Sequence, residues 1–328
     1  MTTSGIYTFS VNRDQIITMA MKLIGKLAEA ETPTAQETSD CALLLNMMVK
    51  QWKGRSDFAP GLKMWKRSRA DLFLSYTSGT YSLGPSGDKW AVSGSNYNRT
   101  LSSAAAANAT TLTVSSITNA TNGDNIGIVL DSGALFWTTI SGAPSGTTIT
   151  LASGITSAAS AGNYIFNYPT SAQAQKPEFI EAIVLHDAST GVDVPVDFMT
   201  MQDYESLPSK NQSGYQTDPQ FAYYEPGLTN GTLYTDVYGA IYTYKYLHIV
   251  YQVTIQDFNA ATDSPDFPQV WYLALAWGLA QQIAPMFNVP FTDDMKLNAS
   301  TALAMAREAD PETTSLYFQP DADTTWYS

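Results

Sequence analysis

Residues 242–255 read YTYKYLHIVYQVTI, a run dominated by aromatic and β-branched residues. Because the side chains of a strand alternate between its two faces, Leu247 and Ile249 share one face while Tyr246 and His248 share the other. Both faces are apolar or amphipathic, which is typical of a strand covered on both sides. The run therefore predicts a central strand of a β-sheet.

Further strand-like segments precede this run. They lie near Phe179 to Leu185, Val192 to Val196 and Gly231 to Tyr238, and they are rich in β-branched or aromatic residues. Between them, the stretch from Met201 to Tyr224 is rich in Gln, Ser and Tyr, which predicts a long loop or arm. This part of the chain is expected to form a β region.

Helical periodicity marks both ends of the chain. Apolar residues recur at three- and four-residue spacing from about Val11 to Ala28, and a second helix with a T-x-x-E capping box follows from Thr34 to Trp52. Similar patterns run from Pro268 to Pro285 and from Thr292 to Asp310. Neither pair of helices alone buries both of its faces, so the two ends of the chain are predicted to meet in one four-helix unit.

The region between the first helices and the β region is rich in Thr, Ser, Ala and Gly, and it repeats itself weakly. The segment TTLTVSSIT from Thr110 is echoed by TTITLASGIT from Thr147, and Asn125 is echoed by Asn163 at nearly the same offset. Two similar halves of a small barrel or sandwich would produce such a repeat.

The predicted fold class is α+β. It consists of a four-helix bundle formed by N- and C-terminal helical hairpins, a β-rich middle region, and an inserted small β-barrel or sandwich domain. The predicted domains are the N-terminal hairpin and turn region (1–95), the inserted β domain (96–172), the second β region (173–256), the C-terminal hairpin (257–310) and an extended C-terminal tail (311–328).

Composition excludes several classes of protein. A formal net charge of −13, from 17 basic and 30 acidic residues, disfavours a general nucleic-acid binder because phosphates would be repelled. One cysteine excludes a disulfide framework within the chain, and two histidines exclude the familiar His-rich zinc sites. The N-terminus lacks a targeting pattern, and no stretch of 18 residues is apolar enough to span a bilayer. We expect no metal, no cofactor and no membrane association, in a protein made in a cytoplasm.

Three candidate catalytic motifs have simpler structural interpretations. Gly84 to Lys89 superficially resembles a phosphate-binding loop, but its composition is that of a turn. His186 beside Asp187 matches half of a hydrolase triad, yet no G-x-S-x-G motif accompanies it, and His248 is expected to be packed with a satisfied hydrogen bond. Asp193 and Asp197 would share one face of a strand as a solvated edge or as a glycosidase pair. We predict no catalytic residues.

The basic residues are concentrated near the N-terminus. Residues 1–70 carry a net charge of +4, whereas the remainder carries −17. Seven basic side chains lie within 20 residues: Lys50, Lys53, Arg55, Lys63, Lys66, Arg67 and Arg69. They are interpreted either as a solvated connector or as a surface that contacts an acidic partner or passing DNA.

The C-terminal tail is a second candidate contact. It is acidic and contains proline, and its large apolar residues are Leu316, Tyr317, Phe318, Trp326 and Tyr327. Aromatic side chains at this density are costly to leave in water. The tail is expected to dock either on its own domain or on a neighbouring subunit.

The helical segments resemble a known family. The motifs are NRDQIITMAMKLIG from Asn12, the ETPTAQET run around Thr34, and LLNMMVKQW ending at Trp52. The Y-x-L-G-P-x-G-D turn of residues 81–88 and the Leu-Ala and Ile-Ala pairs between residues 268 and 285 complete the likeness. In these motifs the chain resembles the head-to-tail adaptors, also called connector or tail accessory factors, of short-tailed bacteriophages. The stretch from about 96 to 168 departs from the smaller members of that family, which lack it.

The resemblance implies a structural virion protein, assembled in the host bacterial cytoplasm and not an enzyme. Such a protein forms a ring, usually of twelve copies, between the portal protein and the tail nozzle or tail-fibre proteins. The ring lines the DNA channel and helps to retain packaged DNA without sequence recognition, and an acidic wall would let DNA slide. The alternatives are a tail-fibre or carbohydrate-binding module and, less favoured, a glycan hydrolase.

Overall fold

A computed structural model describes residues 5–52, 64–74, 78–208, 210, 218–236 and 245–309. The chain divides into two compact units. The first, called the helical unit, combines Met1–Trp65 with Ile255–Ser328. The second, called the β unit, comprises Lys66–Thr254.

Five helices are present in the described residues. Those of the helical unit are α1 (Arg13–Leu23), α2 (Ala35–Gln51), α4 (Tyr272–Ile283) and α5 (Asp293–Glu308), and the β unit contains α3 (Met201–Ser206). A 3₁₀ turn, Gln269–Trp271, leads into α4. In the part of the chain that the structure describes, no helix combines the length and apolar character needed to cross a bilayer.

The predicted fold class is wrong. The described residues form 14 strands and five short helices, only 26% of those residues are helical, and they contain no four-helix bundle. The periodic segments do form helices, but α1 and α4 have only 11 and 12 residues. An 11-residue helix is about 16 Å long, too short to build extended rows of bundle contacts. Strands of three to five residues, whose alternation is too brief to stand out in the sequence, contribute more of the structure than the prediction allowed.

Helix ends show where local sequence rules succeed and fail. Asn12 caps α1 and Thr34 caps α2, each in a reciprocal capping box, as the sequence indicates. However, α1 ends at Leu23 rather than near Ala28. Gly25 has a φ of +73°, and the amides of Gly25 and Lys26 donate to the carbonyls of Lys22 and Met21. This Schellman motif needs a residue that tolerates the left-handed conformation, and it stops the helix one turn early.

The helical unit has one hydrophobic core, centred on α4. This helix contacts α1, α2 and α5. Trp271, Leu275 and Leu279 are fully buried in the core, together with Ile17 and Leu45 from the N-terminal helices. The two ends of the chain therefore contribute to the same core.

The β unit is built on a nearly closed, barrel-like sheet of eight strands in the order β2-β13-β12-β11-β10-β14-β1-β3. All neighbouring pairs are antiparallel except β11 and β12. The strands are β1 (Arg67–Phe73), β2 (Thr80–Leu83), β3 (Trp90–Val92), β10 (Pro177–Asp187), β11 (Asp193–Phe198), β12 (Phe221–Glu225), β13 (Gly231–Thr235) and β14 (Lys245–Val253).

The central position predicted for the 242–255 run is confirmed. Strand β14 pairs with β10 on one side and with β1 on the other. Leu247, Ile249 and Tyr251 are buried in the core of this sheet, while Tyr246 and His248 occupy the opposite face and are half-buried. The sequence did not indicate β1, and it assigned helix α3 and strand β12 to a long loop.

The remaining strands of the β unit form two small sheets within residues 97–168. One has the order β4-β9-β6-β7 and the other pairs β5 with β8. The strands are β4 (Tyr97–Thr100), β5 (Thr111–Thr113), β6 (Asn125–Val129), β7 (Leu135–Thr139), β8 (Thr148–Thr150) and β9 (Tyr164–Tyr168).

The sequence repeat corresponds to a local two-fold relation between these strands. The amide of Val114 donates to the carbonyl of Thr147 at 2.8 Å, and the amide of Leu151 donates to the carbonyl of Thr110 at 2.7 Å. Leu112 of one copy pairs directly with Ile149 of the other, and both are fully buried. Each copy of the repeat therefore donates one of these backbone hydrogen bonds to the other copy and accepts the other one from it.

Candidate functional site

The predicted basic surface is divided between the two units. Lys50 lies in the last turn of α2 in the helical unit, whereas Lys66, Arg67 and Arg69 belong to the β unit. Their burial differs: Lys66 is buried, Arg67 is half-buried and Arg69 is exposed. Lys53, Arg55 and Lys63 lie outside the described residues, as do the tail residues Tyr317, Phe318, Trp326 and Tyr327.

Two of the described basic side chains are paired with acids of their own chain. The ammonium of Lys50 lies 2.6 Å from the carboxylate of Asp257 and donates to the carbonyl of Ile255, also at 2.6 Å. The guanidinium of Arg67 pairs with the carboxylate of Glu181. These two charges stabilise local structure and offer less uncompensated charge to a partner than the sequence alone suggests. A contact of the basic group with a partner remains a prediction.

The helical unit contains an apolar groove of about 760 Å³ between α1 and α4. We call it the α1–α4 groove. Its apolar lining comes mainly from Phe9, Val11, Met19, Tyr272 and Leu273. This volume is within the range of sites that hold a drug-sized molecule or several large side chains.

The segment that precedes α1 forms one side of this groove. The side-chain amide of Gln269 donates to the carbonyls of Tyr7 and Phe9, at 3.1 and 2.7 Å. The ring of Phe9 lies 6.0 Å from that of Tyr272. Phe9 is nevertheless 65% exposed, so the groove is held in shape but is not filled. No signal in the sequence indicated this groove, because its two helices are separated by more than 240 residues.

Exposed apolar side chains are concentrated on the helical unit. Of the 17 large apolar residues that are exposed in the described part of the chain, 11 belong to this smaller unit. They are Ile6, Tyr7, Phe9, Met19, Leu43, Met47, Val270, Leu273, Met286, Leu297 and Met305. Leu43 and Met47 stand four residues apart on α2 and so form a row on one face of that helix. Such a density of exposed apolar groups is characteristic of a surface that meets another chain or segment.

Both histidines lie on the outer face of the barrel-like sheet, each beside an aspartate. His248 on β14 contacts the Asp71 carboxylate through Nδ1 at 2.9 Å, and His186 on β10 contacts Asp193 in the same way at 2.7 Å. The ring of His186 lies 4.9 Å from that of Tyr246. The sequence therefore found the histidines but not their partners, because Asp71 is 177 residues from His248.

Burial controls the protonation of this cluster. The Asp71 side chain is only 5% exposed, and this burial raises the pKa of its carboxyl, against the hydrogen bonds from His248 and Ser93 that lower it. Burial also raises the pKa of Tyr246 to about 12, and the nearby Asp71 and Asp193 carboxylates add to the effect. The pKa values of Asp71 and Tyr246 therefore depend on how the sheet buries these two side chains.

An aspartate that holds one histidine nitrogen leaves the other available for proton transfer, as in a hydrolase triad. Among the described residues, however, neither imidazole is hydrogen-bonded to a hydroxyl or thiol, since Ser93 bonds to Asp71 instead. Those residues also contain no group of three or more His, Cys, Asp or Glu side chains arranged to bind a metal ion. The geometry of both pairs supports a structural interpretation, in which each aspartate fixes a half-buried ring.

The Gly84–Lys89 segment is a turn between strands β2 and β3, as its composition indicates. The carboxylate of Asp88 accepts the amide of Ser82 at 2.7 Å and so closes the turn. A Cβ on Gly84 would lie 2.1 Å from Oδ1 of Asn230 and 3.1 Å from its Cα, so a larger residue at this position would have to displace the Asn230 side chain. The close approach of two turns explains the glycine in this segment without a bound phosphate.

Aromatic residues also cluster in the β unit. Phe73 lies 5.1 Å from Trp137 and 4.9 Å from Phe166 between ring centroids. Trp137 covers Gly127, where a Cβ would lie 2.8 Å from its ring, and it meets Tyr168 edge-on. These rings join the barrel-like sheet to the small strands, and their packing roles explain their density without a sugar ligand.

A buried arginine in the small β sheets was not anticipated from the sequence. Arg99 on β4 donates to the carbonyls of Ser116 and Thr118, at 2.6 and 3.0 Å, and to the side chain of Asn167. Asn167 in turn donates to Asp124 at 3.3 Å. This network fastens the loop after β5 to the sheet.

No family model matches this sequence, and no curated protein matches it. The adaptor resemblance therefore remains a prediction carried by the motifs of the helical segments and their turn.

Proposed function

We propose that this chain is a structural subunit of a phage head-to-tail adaptor, a ring between portal and tail that lines the DNA channel. The motifs near Asn12, Thr34 and residues 81–88 support the proposal by their resemblance to that family. The observation that carries it is the concentration of exposed apolar side chains on the helical unit, because a ring subunit must present such surfaces to its neighbours.

The row formed by Leu43 and Met47 on α2 is the surface we assign to the contact with a second copy. Both side chains are 57% exposed although they belong to a helix whose other face is buried. A ring closes when one patch meets a different patch on the next copy, and Leu297 and Met305 on α5 provide a second exposed apolar row. The net charge of −13 keeps the free subunit soluble until a portal concentrates it.

Assembly on a portal tests this proposal. We expect the free protein to sediment as a monomer at micromolar concentration and to form a ring, twelve-fold in negative-stain images, when a portal protein of a short-tailed phage is added. The variant Leu43→Asp/Met47→Asp should lower the yield of rings, because buried charge opposes the contact. Met201→Asp, an exposed methionine in the β unit, is the matched control. A trimer of the free protein would instead support a fibre module, and rings unaffected by the α2 variant would contradict the assigned surface.

A further inference from the structure

We propose that His186 and His248 together form a binding site for a divalent transition-metal ion of the Zn²⁺ type, held between their two Nε2 atoms on the outer face of the barrel-like sheet. Zinc usually takes four ligands, so water or an atom of another molecule would complete its coordination. Both histidines belong to the β unit. The proposal goes beyond the adaptor function and does not depend on ring formation.

The two histidines are neighbours on one face of the sheet, although they are far apart in the sequence. Strands β10 and β14 pair so that His186 lies opposite Tyr246. In the same register, His248 lies opposite Val184. The histidines are therefore diagonal neighbours about 7–8 Å apart, a separation that aromatic side chains can bridge. The side chains of His186 and His248 are 27% and 28% exposed, so an ion in solution can reach both.

Electrostatics also place the two histidine–aspartate pairs close together. Burial is the main cause of the raised pKa of Asp71, but His186, as well as the directly bonded His248, acts to lower it. The pKa of Tyr246 is raised first by burial and then by the carboxylates of both Asp71 and Asp193. The two pairs are therefore within Coulombic reach of each other.

The aspartates orient the two rings so that their free nitrogens converge. Asp193 on β11 lies directly opposite His186, and Asp71 on β1 lies directly opposite His248. In the strand order β11-β10-β14-β1, the carboxylates are thus on the two outer sides of the histidine pair, and each contacts Nδ1 of its own ring. The nitrogens of an imidazole lie on opposite sides of its Cβ–Cγ axis. Each Nε2 therefore points away from its aspartate, toward the space between β10 and β14 outside the sheet.

A carboxylate on Nδ1 is the usual support of a histidine that binds a metal through Nε2. It fixes the tautomer in which Nε2 carries no proton, orients the ring and makes Nε2 a better ligand. Among the described residues, both rings make their hydrogen bonds through Nδ1, which leaves Nε2 available. Imidazole nitrogens suit Zn²⁺, Cu²⁺ and Ni²⁺, whereas Mg²⁺ and Ca²⁺ prefer oxygen ligands. Because two protein ligands are fewer than the three or four of typical zinc sites, we expect binding in the micromolar range.

Nuclear magnetic resonance of the unaltered full chain tests the proposal directly, because the chain contains only two histidines. The protein is first freed of metal with a chelator, which is then removed, and Zn²⁺ is titrated while the Cε1–H signals of both rings are followed. We expect the two signals to shift together, with one half-saturation concentration, and Mg²⁺ to shift neither. Signals that do not shift, or that shift at different Zn²⁺ concentrations, would overturn the proposal, because the rings would not then share one ion.

Titration calorimetry of variants tests the assigned ligands and their support. We expect one Zn²⁺ per chain in the unaltered protein, and His186→Gln and His248→Gln should each weaken binding by at least about tenfold. Asp193→Asn should weaken it by about tenfold, because loss of a supporting carboxylate typically lowers metal affinity by ~10–100-fold. Asp197→Asn, which alters another exposed aspartate of β11, is the matched control and should not change the affinity.

Circular dichroism establishes that each variant keeps its fold. Undiminished Zn²⁺ affinity in the double variant His186→Gln/His248→Gln would overturn the proposal, because the ion would then be bound by carboxylates elsewhere. A stoichiometry of one ion for two chains would overturn it as well, because the ion would then join histidines of different copies.

Discussion

Asp71 shows how one buried side chain links the sheet to solution conditions. Its carboxyl is surrounded by β1, β14 and β3, and its polar neighbours are His248 and Ser93. Burial raises the folded-state pKa above the ordinary value near 4 that applies in the unfolded chain. Folding therefore favours the neutral carboxyl over the ionised one. Its contribution to the unfolding free energy is fully present when the pH is below the ordinary pKa, and it is lost as the pH rises through the folded-state pKa.

The variant Asp71→Asn tests this linkage. We expect the difference in unfolding free energy between the unaltered protein and Asp71→Asn to shift in favour of the variant as the pH rises from about 4, because asparagine remains neutral. Urea denaturation at a series of pH values measures it. Asp193→Asn, which alters the 64% exposed partner of His186, is the control and should change the pH profile less. Parallel profiles for Asp71→Asn and the unaltered protein would contradict the assigned role of burial.

The structural roles of individual residues could be predicted where they depend on neighbours in the sequence. The Gly84–Lys89 turn and the satisfied hydrogen bond of His248 agree with the structure, because composition and the strand pattern were enough to predict them. The partner of His248, the network around Arg99 and the α1–α4 groove could not be found, since each joins residues that are far apart in the sequence. Contacts between residues so far apart in the sequence depend on the tertiary fold, and the periodicity of the sequence predicted only part of that fold.

Among the elements, α2 has the most complete local specification. The Thr34 hydroxyl accepts the amide of Glu37 at 3.3 Å, and the Glu37 carboxylate accepts the amide of Thr34 at 2.9 Å. Lys26 adds an ion pair to Glu37 at 3.2 Å. Because all of these groups lie within 12 residues, the capping box was visible in the sequence. Strand β1 was not, since Arg67 to Phe73 begins with charged residues and acquires its burial only from β14 and β3.

Removing the cap should destabilise α2 measurably. We expect Thr34→Ala to lower the unfolding free energy by about 1 kcal/mol, because it leaves the amide of Glu37 without its acceptor. Thr32→Ala removes the same group from an exposed residue just before the cap, and it should have little effect. Chemical denaturation of both variants, followed by the helical circular dichroism signal, measures the difference. Equal effects of the two substitutions would show that the capping contact contributes nothing.

At the level of the entire chain, each unit has its own hydrophobic core. The core around α4 contains only residues of the helical unit, and the three remaining clusters contain only residues of the β unit. The β unit also begins and ends on neighbouring strands, since Arg67 pairs with Gln252. Its ends are thus about 5 Å apart, the usual spacing of paired strands. A unit whose ends are adjacent and whose core is complete can be inserted into another domain, or separated from it, without loss of its internal contacts.

Residues 66–254 should consequently fold when produced alone. We expect this fragment to unfold in one cooperative transition and to keep a near-ultraviolet circular dichroism signal from buried aromatic residues such as Trp90 and Phe166. The matched control is the fragment 78–254, which lacks β1. That strand lies between β14 and β3, so its loss exposes the edge of β14 and removes Leu72 from the core. The control should unfold without cooperativity or aggregate. If 66–254 behaved like the control, the core of the β unit would require the helical unit, and the two units would be one folding domain.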